Sequence, residues 1–262
     1  MPLPDFLCIG AQKSGTTWLD QILRSHPAIG MPVTNKELHF FDKHYDKGLD
    51  WYSAQFTDQE GGSGKSKVLG ETTPAYLFLD TVPARIYEAL GPDMRFIAIL
   101  RNPVDRLYSQ YKTTVVDKGN NQDFYAFVQQ NNNAYARGQY SEQIQRYYDY
   151  FPTANFVFLI YERLCRQPAL ECERLGRHLN VDPYAFDSTP GGRRYGAYQG
   201  LPRFHRSYMA MRRLQRFLKQ HELHSPVRAA RRLGLHKEMF GQKETFPPVP
   251  DSLRAELMAR YA

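Results

Sequence analysis

The hydrophobic pattern divides the first two thirds of the chain into strands and helices. Mostly apolar runs occur at residues 3–9, 94–100 and 155–161, and such runs without regular polar alternation are typical of strands covered on both faces. The spacing of apolar residues predicts helices at about 81–90, 103–117, 122–130, 139–150 and 166–179. This alternation predicts an α/β fold, with three α/β/α layers around a central parallel sheet.

The C-terminal part has a weaker pattern and an uneven charge. From residue 187 to 262 we expect irregular and helical structure, with a basic amphipathic helix near 206–220. Residues 203–237 contain ten Lys and Arg and one acid, so they carry +9, whereas the whole chain carries +7. A local basic patch suits an anionic ligand, an acidic partner or a membrane surface. We interpret residues 1–262 as a single domain.

The cysteines and the apolar segments bear on the cellular compartment. No N-terminal stretch has the apolar core and cleavage site of a signal peptide, and no window reaches the roughly 20 apolar residues of a membrane span. Cys8, Cys165 and Cys172 show no CxxC spacing, which indicates free thiols rather than a disulfide framework or a zinc site. The sequence therefore predicts a soluble, cytoplasmic protein without a metal, and it leaves the oligomeric state open.

The first strand leads into a glycine loop with the layout of a phosphate site. Gly10-Ala-Gln-Lys-Ser-Gly15 separates the run at 3–9 from a helical pattern that begins with Thr16 and Thr17. Backbone N–H groups, two hydroxyls and the positive end of a helix dipole would face an anion at this loop. The pattern therefore predicts phosphate binding.

This loop differs from the loop of nucleotide triphosphatases. A Walker loop has lysine directly after its second glycine, whereas here Thr16 follows Gly15 and Lys13 lies inside the loop. The strand at 94–100 runs into Arg101-Asn-Pro and not into a magnesium-binding acid. The arrangement indicates a ligand that is neutralised by protein cations alone.

Several segments, in order, resemble PAPS-dependent sulfotransferases, which take a sulfuryl group from 3'-phosphoadenosine 5'-phosphosulfate (PAPS). Gly10–Trp18 (GAQKSGTTW) resembles their P-loop-like 5'-phosphosulfate-binding loop. Lys36–Asp42 and Glu71–Tyr76 resemble two segments of the heparan sulfate and related bacterial branch. Arg101–Arg106 with Ser109 resembles the 3'-phosphate motif, and Tyr161-Glu162 matches a pair near the adenine. The resemblance covers residues 1–180.

The resemblance implies PAPS as the co-substrate, PAP as the product, and a set of residues that hold the donor. These are Lys13, Ser14, Gly15, Thr16, Thr17, Trp18, Arg101, Ser109 and Tyr161. For the late basic loop that closes over the 3'-phosphate, the candidates are Arg193 and Arg194 in Gly191–Arg194, followed by Pro202-Arg203. Thr72 stands where the glycan enzymes have a lysine, which argues against a glycosaminoglycan acceptor.

Sulfuryl transfer, by analogy with phosphoryl transfer, needs a cation at the leaving phosphate oxygen and a base for the acceptor proton. Lys13 is in the sequence position to serve as the cation. If residues 36–42 are extended, Glu37 and His39 project to the same face, so either side chain could take the proton. The resemblance favours Glu37 as the base, with His39 orienting the acceptor.

The predicted function is transfer of the sulfuryl group to a hydroxyl or amine of a glycan, a lipid or a carrier-bound natural product. One alternative is a metal-dependent nucleotide triphosphate enzyme or kinase with a degenerate loop, which the position of Lys13 disfavours. A second is a basic module that binds nucleic acid or membrane through 203–237, although one amphipathic helix would explain that charge. We expect PAPS and an acceptor as partners, and no nucleic acid.

Overall fold

The computed structural model describes residues 2–33, 36–56, 67–118, 122–188 and 246–262. Five strands in these residues form one parallel sheet in the order β2-β3-β1-β4-β5. The strands are β1 (Phe6–Gly10), β2 (Ile29–Gly30), β3 (Val68–Thr72), β4 (Arg95–Leu100) and β5 (Phe156–Ile160). The predicted parallel sheet is confirmed, and β1 lies at its centre, so the loop after β1 opens at the middle of the carboxyl edge.

Helices lie between and after the strands. They are α1 (Thr16–Ser25), α2 (Phe40–Lys43), α3 (Gly48–Ser53), α4 (Val82–Leu90), α5 (Pro103–Lys118), α6 (Phe124–Gln130), α7 (Asn132–Ala136), α8 (Tyr140–Tyr148), α9 (Tyr161–Arg166), α10 (Pro168–Leu179) and α11 (Asp251–Tyr261). Pro103 and Pro168 begin their helices, where the missing N–H costs no hydrogen bond. The predicted helix at 166–179 begins in the structure at Pro168, as α10, and Gln167 separates it from the short helix α9.

Apolar side chains cover both faces of the sheet. Alternate residues of β1 enter two different clusters: Leu7 and Ile9 pack with Phe96 on one face, and Phe6 and Cys8 pack on the other. Each buried aliphatic or aromatic side chain contributes roughly 1.5–3 kcal/mol to folding. Side chains of α1 and α10 cover the second face, whereas those of α2, α3, α4 and α8 cover the first. This gives the predicted three layers.

The described residues form two compact units. The first contains the sheet, with residues up to 107, residues 133–188 and the last two residues. The second contains residues 108–132 and 246–260, and in it the Tyr111 ring lies 5.4 Å from Phe124 and 5.7 Å from Phe246, between ring centroids. The single-domain interpretation stays a prediction, and the basic segment 203–237 lies outside the described residues. Among the helices that the structure describes, none has the length and apolar character needed to cross a membrane.

Candidate active site

The loop between β1 and α1 has a backbone that only a few residue types adopt easily. Gly15, the residue before α1, has φ 94°, in the left-handed region that favours glycine. A Cβ on Gly15 would lie 2.8 Å from the ring of Tyr161, so the close approach of that ring also requires glycine. Lys13 has φ 70°. The first turn of α1 contains no acid, so its positive end is available to an anion.

Residues at the ends of β4 and β5 meet this loop. Arg101 donates from a terminal guanidinium nitrogen to the Lys13 carbonyl at 3.1 Å, and its guanidinium carbon lies 4.5 Å from the centroid of the Tyr161 ring. The Tyr140 hydroxyl donates to the Arg101 carbonyl at 3.0 Å. The Nε of Arg101 is buried without a hydrogen-bond partner among the described residues. Because strand ends at the carboxyl edge face the ligand crevice, this cluster fits a phosphate ligand.

Lys36 also reaches the loop, which the sequence did not indicate. Its ammonium lies 3.1 Å from Thr17 Oγ1 and 3.4 Å from Thr16 Oγ1, and 3.8 Å from Glu37 Oε1. A cation at the positive end of a helix is electrostatically unfavourable unless it shares an anion with that end. The position of Lys36 therefore suits an anion bound between its ammonium and the start of α1. Its signal in the sequence is that it begins the segment Lys36–Asp42, which resembles the heparan sulfate and related bacterial branch.

Glu37, His39 and Asp42 form one hydrogen-bonded chain. His39 Nε2 lies 3.3 Å from Glu37 Oε2, and His39 Nδ1 lies 2.9 Å from Asp42 Oδ2. The bond to Asp42, followed by the bond to Glu37, raises the pKa of His39 to about 9 although burial opposes this. Burial acts to raise the pKa of Glu37, but His39 and the charge of Lys36 together lower it below its usual value. Near neutral pH, Glu37 is therefore ionised and His39 is protonated.

The backbone that brings Glu37 and His39 together is not the extended one that the alternation argument requires. Residues 37–39 form no strand, and His39 has φ 54°, a left-handed conformation that is uncommon for a residue with a Cβ. Helix α2 begins directly after His39. The pair meets because the chain turns at His39, and Asp42, one turn further on, was missed because its role depends on that turn.

Thr72 and Cys8 lie side by side where β3 and β1 pair. The Thr72 side chain is buried beside the Cys8 thiol. Burial raises the pKa of the Cys8 thiol to about 12, so this thiol is neutral and unreactive at neutral pH. The end of β3 therefore adds no charged group beside the loop at position 72.

The remaining predicted donor residues lie in different places. Trp18 is partly buried against the cluster that contains Leu19, Ser14 is buried, and Ser109 lies on α5 in the second unit. Arg193, Arg194 and the second candidate, Pro202-Arg203, lie outside the described residues. The structure thus brings together Lys13, Gly15, Thr16, Thr17, Arg101 and Tyr161, and Lys36 connects this group with Glu37 and His39.

Comparison with known proteins identifies the family of the chain. Residues 3–190 match the sulfotransferase domain family. The chain is 31% identical over 202 residues to heparan sulfate glucosamine 3-O-sulfotransferase 6 of Mus musculus, covering 72% of this chain and 57% of that protein. It is 31% identical over 201 residues to bifunctional heparan sulfate N-deacetylase/N-sulfotransferase 2 of Bos taurus, covering 70% of this chain and 22% of that protein. The chain thus spans less than two thirds of either relative.

A solved structure shares the fold. The sulfotransferase from Alicyclobacillus acidocaldarius superposes with a TM-score of 0.59 and 28% sequence identity, covering 72% of this chain and 86% of that one. The family match, at residues 3–190, spans the sheet and the cluster around Lys13.

Proposed function

We propose that this chain, which belongs to the sulfotransferase domain family, transfers a sulfuryl group from PAPS to a hydroxyl or amine of an acceptor. The observation that carries the proposal is the group of three cationic side chains at the acid-free start of α1, next to an ionised carboxylate. Lys13 lies in the loop, Arg101 bonds to its carbonyl, and Lys36 lies against the hydroxyls of Thr16 and Thr17. A carboxylate within reach of the same anion site supplies the base.

The proposed roles on the donor side follow from charge and position. When bound, PAPS supplies an activated sulfuryl group on a phosphate leaving group. Lys13, the hydroxyls of Thr16 and Thr17 and the start of α1 hold the 5' end, and the charge of Lys13 stabilises the leaving oxygen. Lys36 neutralises the sulfated end. Arg101 binds the 3'-phosphate, and the Tyr161 ring, stacked on Arg101, lies beside the adenine.

The proposed base is Glu37 and not His39. A base must be unprotonated before the reaction, and near neutral pH this holds for Glu37, whose pKa is lowered, but not for His39, whose pKa is raised to about 9. The protonated His39 ring donates from Nε2 to Glu37 and from Nδ1 to Asp42. It therefore fixes the orientation of the Glu37 carboxylate while one oxygen of Glu37 accepts the acceptor's proton.

The proposed acceptor is a glycan, a lipid or a carrier-bound product, and the proposed compartment is the cytoplasm. The two heparan sulfate relatives are named for sugar hydroxyl and amine sulfation, so a glycan acceptor stays a candidate beside a lipid and a carrier-bound product. Thr72, where the glycan branch has a lysine, favours the latter two. A cytoplasmic location is supported by three free cysteines, of which Cys8 and Cys172 are buried.

Calorimetric titration with 3',5'-ADP, AMP and ATP, each with and without EDTA, tests the donor assignment. Charge-assisted hydrogen bonds to the 3'-phosphate contribute about 1.5–3 kcal/mol each. We therefore expect AMP to bind roughly two to four powers of ten more weakly than 3',5'-ADP, at about 1.4 kcal/mol per tenfold step. EDTA should leave both affinities unchanged. If ATP with magnesium binds best, the chain is a triphosphate enzyme and the proposal is wrong.

A further inference from the structure

Glu71, near the end of β3, has a completely buried carboxylate that is held by hydroxyls. Its Oε1 accepts from the Tyr52 hydroxyl at 2.8 Å and from the Tyr76 hydroxyl at 3.0 Å, and its Oε2 accepts from Thr73 Oγ1 at 2.9 Å. Burial raises the pKa of Glu71, and these three bonds together with the Leu38 backbone oppose the rise. A buried charge is costly compared with an apolar side chain of similar size. Stability alone therefore does not account for a carboxylate at this point.

Two of the three hydroxyls also accept hydrogen bonds from the backbone of the segment that carries Glu37 and His39. Thr73 Oγ1 accepts from the His39 N–H at 3.4 Å, and the Tyr76 hydroxyl accepts from the Phe41 N–H at 3.2 Å. Each hydroxyl has one proton, and it donates that proton in its hydrogen bond to Glu71. The hydroxyl oxygens then have only lone pairs available for the backbone, so they accept hydrogen bonds from N–H groups. The carboxylate thus sets the direction of both bonds.

The backbone between these two bonds is the strained one. His39 has φ 54°, and such a conformation in a residue with a Cβ costs about 1–3 kcal/mol and persists only where the surroundings hold it. The hydrogen bond at the His39 N–H precedes the φ and ψ angles of His39, and the bond at the Phe41 N–H follows them, so the two bonds hold the backbone on both sides of His39. The ring of His39 then reaches Glu37 at one nitrogen and Asp42 at the other.

We infer that Glu71 is a positioning residue, which orients the hydroxyls of Thr73 and Tyr76 so that they hold residues 39–41 and thereby align Glu37 with His39. The inference rests on the proposed function, because it gives Glu71 a role in the reaction that Glu37 and His39 carry out. Glu71 itself touches neither the donor nor the acceptor.

Two tyrosine variants make a matched test. Tyr52→Phe and Tyr76→Phe each remove a fully buried hydroxyl that donates to the same oxygen of Glu71, and each keeps the ring, including the stack of Tyr52 on Phe40 at 4.2 Å. Only Tyr76 also bonds to the segment, at Phe41. Both variants should lower Tm, Tyr76→Phe by more, because the buried Phe41 N–H then loses its acceptor. Tyr76→Phe should lower kcat about tenfold or more and Tyr52→Phe less than about threefold, with 3',5'-ADP affinity unchanged in both.

Thr73 supplies a second comparison and an independent readout. Thr73→Val should lower kcat as Tyr76→Phe does, and Thr73→Ser, which keeps the hydroxyl, should restore it. In an NMR titration the pKa of His39 should lie near 9 in the wild type and fall in Tyr76→Phe and Thr73→Val, but not in Tyr52→Phe.

The outcomes separate this inference from the proposed function. Equal kcat losses in the two tyrosine variants, or an unchanged His39 titration in Tyr76→Phe, would show that Glu71 only stabilises the fold. If the wild type transfers no sulfuryl group, the proposed function is wrong. The His39 titration needs no turnover and still decides whether the Glu71 network positions that ring.

Discussion

The proposed donor side and the proposed acceptor side of the site are built in different ways. On the donor side, the loop after β1 owes its shape to the left-handed Lys13 and Gly15, and Arg101 binds to a backbone carbonyl of that loop. On the acceptor side, Glu37 and His39 are held by side-chain bonds to each other and to Asp42, and by the hydroxyls around Glu71. The donor site is thus formed largely by backbone geometry, whereas the acceptor site depends on a chain of side-chain hydrogen bonds.

This difference predicts how each side tolerates change. An anion site formed by backbone N–H groups at a helix start loses little affinity when one distant side chain is altered, because the N–H groups stay in position. In a chain of side-chain hydrogen bonds each member orients the next, so the loss of one member changes the orientation of the others. Substitutions on the donor side should therefore change binding and turnover together, and those on the acceptor side should change turnover alone.

Removing Lys13 should have the largest effect. Lys13→Met is expected to lower turnover by about 10²–10³-fold, because one group that stabilises transition-state charge contributes that much, and to weaken 3',5'-ADP binding as well. Steady-state kinetics and calorimetry measure the two losses. Lys47→Met, at an exposed lysine beside Trp51, changes the net charge equally and should alter neither quantity. A Lys13 variant with normal turnover would contradict the donor assignment.

The next largest effect should come from the base. Glu37→Gln is expected to lower turnover about 10²-fold or more, which is the range of general base catalysis, and to leave the affinity for 3',5'-ADP nearly unchanged. Single-turnover kinetics beside calorimetry separates the two. Turnover close to the wild-type rate would show that Glu37 is not the base, and His39 would then be the candidate base.

Lys36 should distinguish the sulfated from the unsulfated nucleotide. We expect Lys36→Met to weaken PAPS binding about tenfold, which corresponds to about 1.4 kcal/mol, while 3',5'-ADP binds almost as before, because the proposed role of Lys36 is to neutralise the sulfated end. Competition binding of the two nucleotides measures the ratio. Equal losses for both would mean that Lys36 contributes to the phosphate site and not to the sulfuryl group.

The smallest effect concerns pH. The folded-state pKa of His39 is raised from 6.5 to about 9, so the stabilisation from its charge is fully present below pH 6.5 and is lost as the pH rises through about 9. Turnover should fall over the same upper range, because the imidazolium then stops orienting Glu37. Denaturant unfolding and initial rates from pH 6 to 10 measure both changes. Asp42→Asn removes the main cause of the raised His39 pKa. The loss of stability and the loss of turnover should therefore both move to lower pH. Turnover that rises through pH 9 would identify His39 as the base.

Part of this molecule could be predicted from the sequence because the signals were local. The apolar runs at β1, β4 and β5 and the glycine loop are contiguous patterns, and the structure confirms the parallel sheet that they indicate. The segments at β2 and β3 were missed because one has two residues and the other contains Gly70, which packs against the Phe6 ring. Neither gives a long apolar run.

Only the tertiary structure decided how the acceptor side is arranged. Nothing in the order of residues shows that Lys36 lies against Thr17, or that Asp42 accepts from His39 after a left-handed turn. The sequence shows Glu71 only as one residue of a segment that resembles the family. Its hydrogen bond from Tyr52 depends on the fold, because Tyr52 lies on a separate helix. The physical reason is that hydropathy periods report burial and backbone type over a few residues. The orientation of a buried polar group depends instead on partners that the fold brings together from distant parts of the chain.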